Sequence, residues 1–259
     1  MEWPGRLSAL TDPEPTATSA LEILYRDECL VAINKPAGLL VHRSAIDRQE
    51  TRFALQMLRD QIGQRVYPIH RLDKPTSGIL VFGLAPQYAS SVARQFEQRM
   101  VDKHYLAVVR GYCPEEGTVN HPLRDKHDDA DRSRRPAPEA REAVTRYRRL
   151  ATVELPYQVD RYLTSRYSLV SLTPATGRRH QLRRHMKHIG HPIIGDAKHG
   201  KGVHNRFFKL RFGCGRLLLA ATALAFVHPL SEERLSLSAS PGQDFRRLMH
   251  TLGWETDDV

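Results

Sequence analysis

The stretch His70-Arg71-Leu72-Asp73-Lys74-Pro75-Thr76-Ser77-Gly78 runs directly into the apolar segment Ile79–Leu84. Pro75 fixes its own φ and disfavours helix at Lys74. Gly78 permits a turn back into extended chain. The sequence therefore predicts a structured loop feeding a buried strand, with Asp73 held between basic residues. Basic neighbours stabilise the charge on a carboxylate, and an ionised carboxylate at a positioned site can be a nucleophile. For an isolated Asp the plainer alternative is an Asx-turn that only ties the loop.

Outward from this loop, short apolar or β-branched runs predict strands. These are Leu21–Tyr25 and Leu30–Asn34 as a hairpin, then Tyr105–Arg110, Ala143–Arg148, Tyr167–Leu172, Leu217–Phe226 and Arg234–Ser238. Ala89, Val92, Ala93 and Phe96 recur at helical spacing, which predicts a helix from Pro86 to about Met100. A second helix is expected from Gly177 to about His188, with Thr176 as N-cap and Leu182, Met186 and Ile189 facing the core. Phe245, Leu248, Met249 and Leu252 predict a closing helix. Strands outnumber helices and do not alternate with them, so the expected class is α+β with a mixed, largely antiparallel sheet flanked by helices and loops. Residues 1–19, rich in Pro, Thr and Glu, read as a loose tail, and 20–259 as a single domain. The charge-dense stretch 124–142 reads as a mobile surface loop.

The chain has 259 residues with 39 Lys+Arg against 29 Asp+Glu, a formal charge of +10. From Thr176 to Arg211 there are ten Lys/Arg, six histidines and one acid, Asp196. Such a local positive field attracts polyanions. A solvated basic face is the bland alternative, but this run is interleaved with apolar residues and must fold against something. The 41% apolar content excludes a wholly disordered chain. Leu217–Val227 is far shorter than the roughly 20 apolar residues of a spanning helix, and no secretion signal is visible. Cys29, Cys113 and Cys214 form no CxxC pair, which points to a reducing compartment and a cytoplasmic location.

Four ordered segments carry a family resemblance. HRLDKPTSG at 70–78 resembles the catalytic-loop signature of the RluA-type pseudouridine synthases. Asn34–His42 (NKPAGLLVH) resembles the first motif of that family, and Lys103–Ala107 (KHYLA) through Gly111 its KxYxA…G strand. Thr176–His185 (TGRRHQLRRH) followed by Gly190–Asp196 (GHPIIGD) resembles its third motif. Four motifs in order over roughly residues 21–230 are far more specific than one short match. The wording PTSG, RRHQLRRH and PIIGDAKHG, with an extra Arg161–Arg166 segment (RYLTSR), is similar to members of the family that act on uridine 65 of tRNA.

The resemblance implies a cofactor-free enzyme that breaks the glycosidic bond of an RNA uridine, turns the uracil and rejoins it through C5. Asp73 would be the essential carboxylate, acting on the sugar carbon or through a glycal intermediate. Tyr105 would pack on the uracil and could serve as a general base in the glycal route. Arg183 would pair with Asp73; its place beside core-facing Leu182 agrees, because a buried arginine needs an acid partner. Arg71 would enter the helix where the target base leaves its stack. His70, Arg178, Arg179, Arg184, Lys187 and Lys198 would contact RNA. Lys35 and Pro36 read as scaffolding. The expected partner is RNA, tRNA first and ribosomal RNA second, with no membrane, no metal and a monomeric chain.

Three other readings compete. A non-catalytic RNA binder would use the basic surface without the acid. A zinc site on His180, His185, His188 and His191 would need ligands that converge on one side, and this spacing does not bring them together. A glycosidase generally uses two carboxylates, whereas the motif supplies one. The Arg161–Arg166 segment carries the further expectation of phosphate contacts.

Overall fold

A computed structural model describes residues 20–43, 50–124 and 139–254. The chain begins with the expected hairpin, β1 (Glu22–Arg26) and β2 (Leu30–Lys35), closed by Asp27, whose Oδ1 accepts the Cys29 and Leu30 backbone N–H groups. Helix α1 (Ala54–Ile62) and the short β3 (Tyr67–Pro68) precede the Asp73 loop. The loop feeds β4 (Ser77–Gly83), followed by α2 (Pro86–Glu97) and β5 (Asp102–Arg110). Then come β6 (Glu116–Asn120), β7 (Leu123–Arg124), β8 (Ala140–Arg141), β9 (Val144–Leu155) and β10 (Ser165–Pro174). The chain continues through α3 (Gln181–His188), α4 (Gly202–Phe212), β11 (Leu219–Val227), β12 (Arg234–Ser238) and α5 (Gln243–Thr251).

One ten-stranded sheet runs β1-β2-β4-β11-β5-β10-β9-β6, with β12 on β11 and β3 on β4. Its pairs are antiparallel except β4 with β11, so the α+β, mixed and largely antiparallel expectation holds. Every residue of β4 is buried because both faces are covered. Ile79 and Val81 pack with Ala89 and Val92 of α2, while Leu80 and Phe82 pack with Leu58 of α1. The Asp73 loop is thus rooted in a strand that is buried along its whole length. On β5, Leu106 and Val108 face Phe208 of α4 and Phe245 and Leu248 of α5. Tyr105, Ala107 and Val109 face Leu182 and Met186 of α3.

The structure alters several expectations. The helix expected from Gly177 starts at Gln181, and its N-cap residue is His180 in the left-handed conformation (φ 56°). Thr176 does not cap it; its hydroxyl accepts the Val144 N–H and donates to Gln181 Oε1. Helices α1 and α4 were not expected, the latter because its apolar residues are scattered among the basic ones. Of the proposed tail and loop, residues 1–19 and 125–138 lie outside the described residues. The described ends of the 124–142 stretch are ordered, with Leu123–Arg124 paired to Ala140–Arg141.

Candidate active site

The register of three strands sets the site. Ala221 of β11 pairs with Gly78 of β4 on one side and with Tyr105 of β5 on the other. Two strand spacings, about 10 Å, therefore separate the end of the Asp73 loop from the Tyr105 backbone. Gly78 has φ +109°, and a Cβ there would stand 2.1 Å from the Ala221 carbonyl oxygen. Any side chain at this point would push the loop off β11.

The loop is tied at several points. Ile69 and Leu72 are buried on its N-terminal side, and the Asp73 carbonyl accepts the Thr76 N–H at 3.0 Å. The backbone thus closes the turn, and Asp73's Oδ2 is given to Arg183 instead of an Asx-turn. The Lys74 carbonyl accepts both the Gly38 N–H (2.9 Å) and the Lys35 ammonium (3.2 Å). Lys35 is fully buried and also donates to the Pro36 and Leu39 carbonyls, each at 2.8 Å. Burial and the nearby Arg216 pull its pKa down to about 7. Its scaffolding role follows from these contacts: it clamps the Pro36–Leu39 turn to the Asp73 loop.

Helix α3 delivers the counter-charge. Gln181 makes four side-chain hydrogen bonds: its amide donates to the Val144 carbonyl and Thr145 Oγ1, and its Oε1 accepts from Thr176 and the Arg178 N–H. They fix the first turn of α3 against β9. One residue pair further on, Arg183 is 5% exposed and spreads its guanidinium between two acids. Its Nη1 donates to Asp73 Oδ2 at 3.1 Å, and its Nε and Nη2 donate to Asp196 at 2.7 and 2.8 Å. Asp196 also accepts the Lys198 and His199 N–H groups, both at 2.9 Å. Burial alone would raise the Asp196 pKa, but Arg183 and these N–H groups hold it below the ordinary carboxylate range. Asp196 was missed in the sequence, where it stood as the lone acid of a basic run. That isolation was itself the available signal, because a buried arginine there needs such a partner. His180 completes the group, with Nε2 3.8 Å from Asp73 Oδ2 and Nδ1 2.9 Å from His199 Nε2.

Asp73, Tyr105 and Arg183 line one cleft of about 770 Å³. Its walls carry seven Lys/Arg side chains (Arg71, Arg99, Lys103, Arg141, Arg178, Arg179, Arg183) and two carboxylates, Asp73 and Glu97. Arg99 and Arg141 lie outside the basic run and are not singled out in the sequence, and Lys103 enters there only as part of the KHYLA motif. Of the expected RNA contacts, Arg71, Arg178 and Arg179 line the cleft, whereas Arg184, Lys187 and Lys198 do not. His70 also lines the cleft and is tied into the scaffold behind it. Its Nε2 accepts the Val81 N–H at 3.2 Å and its ring stacks on Phe96. Burial and Lys103 lower its pKa to about 3, so it stays neutral. Burial and the Asp73 charge push the Tyr105 phenol up to about 12. At the β9–β10 turn, Arg166 is ion-paired with Glu154 and Arg161 lies over the Tyr162 ring; neither lines the cleft.

The histidines do not converge. His185 bonds to Thr145 and the His121 carbonyl, His188 stacks on His121, and His191 bonds to the Arg110 carbonyl. Among the described residues, Asp27, Cys29 and His228 form one cluster with metal-ligand atoms, all within 4.8 Å. His228 Nδ1 accepts backbone N–H groups of Leu230 and Ser231, which leaves the proton on Nε2, 2.8 Å from Asp27 Oδ2 in an ion-pair contact. A metal would need that same Nε2 lone pair, so the donor set fits a hydrogen-bonded turn better than a metal.

A carboxylate clamped by arginine beside a tyrosine, in a cationic cleft, defines a class of enzyme that works on a polyanion. Residues 29–188 match the RNA pseudouridylate synthase family, and the chain belongs to it; its members are isomerases that convert uridine to pseudouridine in RNA. The chain is 52% identical over 239 residues to tRNA pseudouridine synthase C of Haemophilus ducreyi, covering 92% of this chain and 98% of that one. It is 50% identical over 236 residues to tRNA pseudouridine synthase C of Vibrio cholerae, covering 91% and 97%. Among solved structures it resembles human RNA pseudouridylate synthase domain containing 4, with a TM-score of 0.67 and 28% identity over 91% of this chain and 94% of that chain. Human RNA pseudouridylate synthase domain containing 1 gives a TM-score of 0.66 at 25% identity, over 95% and 100%.

Proposed function

We propose that the chain isomerises uridine 65 of tRNA in the cytoplasm, as a monomer, with Asp73 as the reacting carboxylate. The observation that carries the reading is the Asp73 carboxylate, held 3.1 Å from Arg183 in the same cleft as Tyr105. The names of two relatives about 50% identical to the chain support the choice of tRNA. A flipped uridine entering the cleft would set its ribose toward Asp73 and its uracil against Tyr105, with Arg71 at the exposed rim replacing it in the stack. Flipping costs a few kcal/mol, which the cationic walls offset through phosphate contacts. Cleavage of C1′–N1, rotation of the uracil and bonding of C1′ to C5 release the C5 proton, and N1 takes up a proton in its place. A phenol near 12 keeps its proton at neutral pH, so Tyr105 is assigned to packing on the base rather than to removing that proton. Cys29, Cys113 and Cys214 are all buried, and no two of them form a disulfide, in keeping with a reducing compartment.

The test is to incubate the purified chain with unmodified tRNA transcripts and with ribosomal RNA, then map pseudouridine by carbodiimide-dependent primer-extension stops. A stop reporting position 65 of tRNA, lost when that uridine is replaced by cytidine, is the expected result. Stops only at other tRNA positions or only in ribosomal RNA would overturn the substrate assignment.

A further inference from the structure

The proposed function uses Arg183 beside Asp73 and leaves the second neighbour of that carboxylate unexplained. His180 Nε2 stands 3.8 Å from Asp73 Oδ2, the oxygen that Arg183 holds, within ion–dipole range but beyond a direct hydrogen bond. His180 adopts φ 56°, ψ 27°, a left-handed backbone uncommon for residues with a Cβ. Such a conformation persists where the surroundings over-determine it, and here it turns the ring into the cleft. Behind it, His199 Nε2 lies 2.9 Å from His180 Nδ1, with the two rings edge to face at 81°. The His199 N–H donates to Asp196 Oδ1, and Asp196 holds Arg183. Both supports of Asp73 therefore hang from one buried carboxylate. Gly195 begins that loop with φ +78°, and a Cβ there would meet the Arg216 carbonyl oxygen at 1.8 Å.

The tautomers follow from the geometry. If His180 faced Asp73 with a bare Nε2, a lone pair would point at a carboxylate. The Nε2–H form is the stable one, and it leaves Nδ1 as an acceptor. His199 must then be the donor through its own Nε2–H. We propose that His180 and His199 are a positioning pair, in which His199 fixes the tautomer of His180 so that a neutral N–H dipole faces the Asp73 carboxylate beside Arg183. Burial keeps both rings from protonating, His180 at about 4, so neither adds a cation that would compete with Arg183 for the carboxylate. Neither ring needs to move a proton during the reaction.

This inference rests on the assignment of Asp73 as the reacting carboxylate. The test compares His199→Phe, which has no donor, with His199→Gln, whose amide can donate to His180. For His199→Phe the single-turnover rate on tRNA is expected to fall about tenfold, the upper end of the effect of one lost neutral hydrogen bond, with tRNA affinity unchanged. His199→Gln is expected to stay within about threefold of the parent, since the donor is restored. Ring ¹⁵N–¹H correlation spectra give a readout independent of turnover: His180 should be the Nε2–H tautomer in the parent and in His199→Gln, and a mixture in His199→Phe. Parent-like turnover in His199→Phe, equal losses in both variants, or an Nδ1–H His180 in the parent would overturn the pair. If the parent turns over no RNA at all, the proposed function fails on its own, and the spectra alone then decide the pair.

Discussion

Replacing Arg183 with lysine keeps the positive charge and removes the fork. Arginine supplies three N–H groups in one plane to two carboxylates, at 2.7 and 2.8 Å to Asp196 and 3.1 Å to Asp73. A single ammonium cannot span both acids. It will settle on Asp196, whose side chain is 0% exposed, rather than on Asp73 at 20%, because the more buried charge suffers more from losing its partner. Exchanging the two-point contact for a one-point contact should cost about 1–3 kcal/mol of stability, small enough to leave a folded protein when the total is about 5–15 kcal/mol. Asp73 loses a charge-assisted hydrogen bond worth roughly 1.5–3 kcal/mol. At about 1.36 kcal/mol per decade, the rate of isomerisation should fall by roughly 10- to 150-fold. The assay is single-turnover release of tritium from C5-labelled uridine at saturating RNA, beside thermal melts and an RNA-binding titration. A rate within twofold of the parent would refute the reasoning that Arg183 acts through its contact with Asp73. So would a loss confined to RNA affinity.

Two further perturbations probe the supports. Lys35→Met leaves the Pro36, Leu39 and Lys74 carbonyls without their shared donor and should destabilise the fold by about 3 kcal/mol; an unchanged denaturant midpoint would show that the clamp carries no weight. The depressed pKa of Asp196 sets a pH dependence. Its ion pair stabilises the fold fully above the unfolded carboxyl value of about 3.9, and this contribution is lost as pH falls through the lower folded value. The parent's unfolding midpoint should therefore drop steeply below about pH 4, and Asp196→Asn, weaker at neutral pH, should show a shallower drop; parallel curves would contradict the assignment.

The sequence and the structure meet most closely where a local rule and a tertiary need coincide. Ile79–Leu84 read as a buried strand because both faces of β4 are covered, which makes the run continuously apolar. The Pro75–Gly78 punctuation located the loop because its backbone geometry is local. Arg183 was legible as a buried cation in need of an acid, yet its main partner was not, since the Asp196 contact depends on how the loop after α3 folds back. The start of α3 was misplaced for a similar reason. Thr176 has the chemistry of an N-cap, but its hydroxyl is engaged by β9 and Gln181, and the helix begins after the left-handed His180. His70 read as an RNA contact beside Arg71; it lines the cleft, and its further engagement with Phe96 and the Val81 N–H is something only the packing of α2 on β4 could reveal. Helix α4 escaped because its buried residues, His204 and Phe208, are too few to mark an apolar stripe.

The central claim is that the Asp73 carboxylate carries out the isomerisation while the cationic walls of the cleft hold the RNA. It is tested most directly by tritium release from C5-labelled tRNA with the parent chain and with Asp73→Ala, each beside a binding titration. The account predicts that release is abolished in the variant while affinity stays within about tenfold, because phosphate contacts dominate binding. Continued release from Asp73→Ala at a rate near the parent's would contradict it.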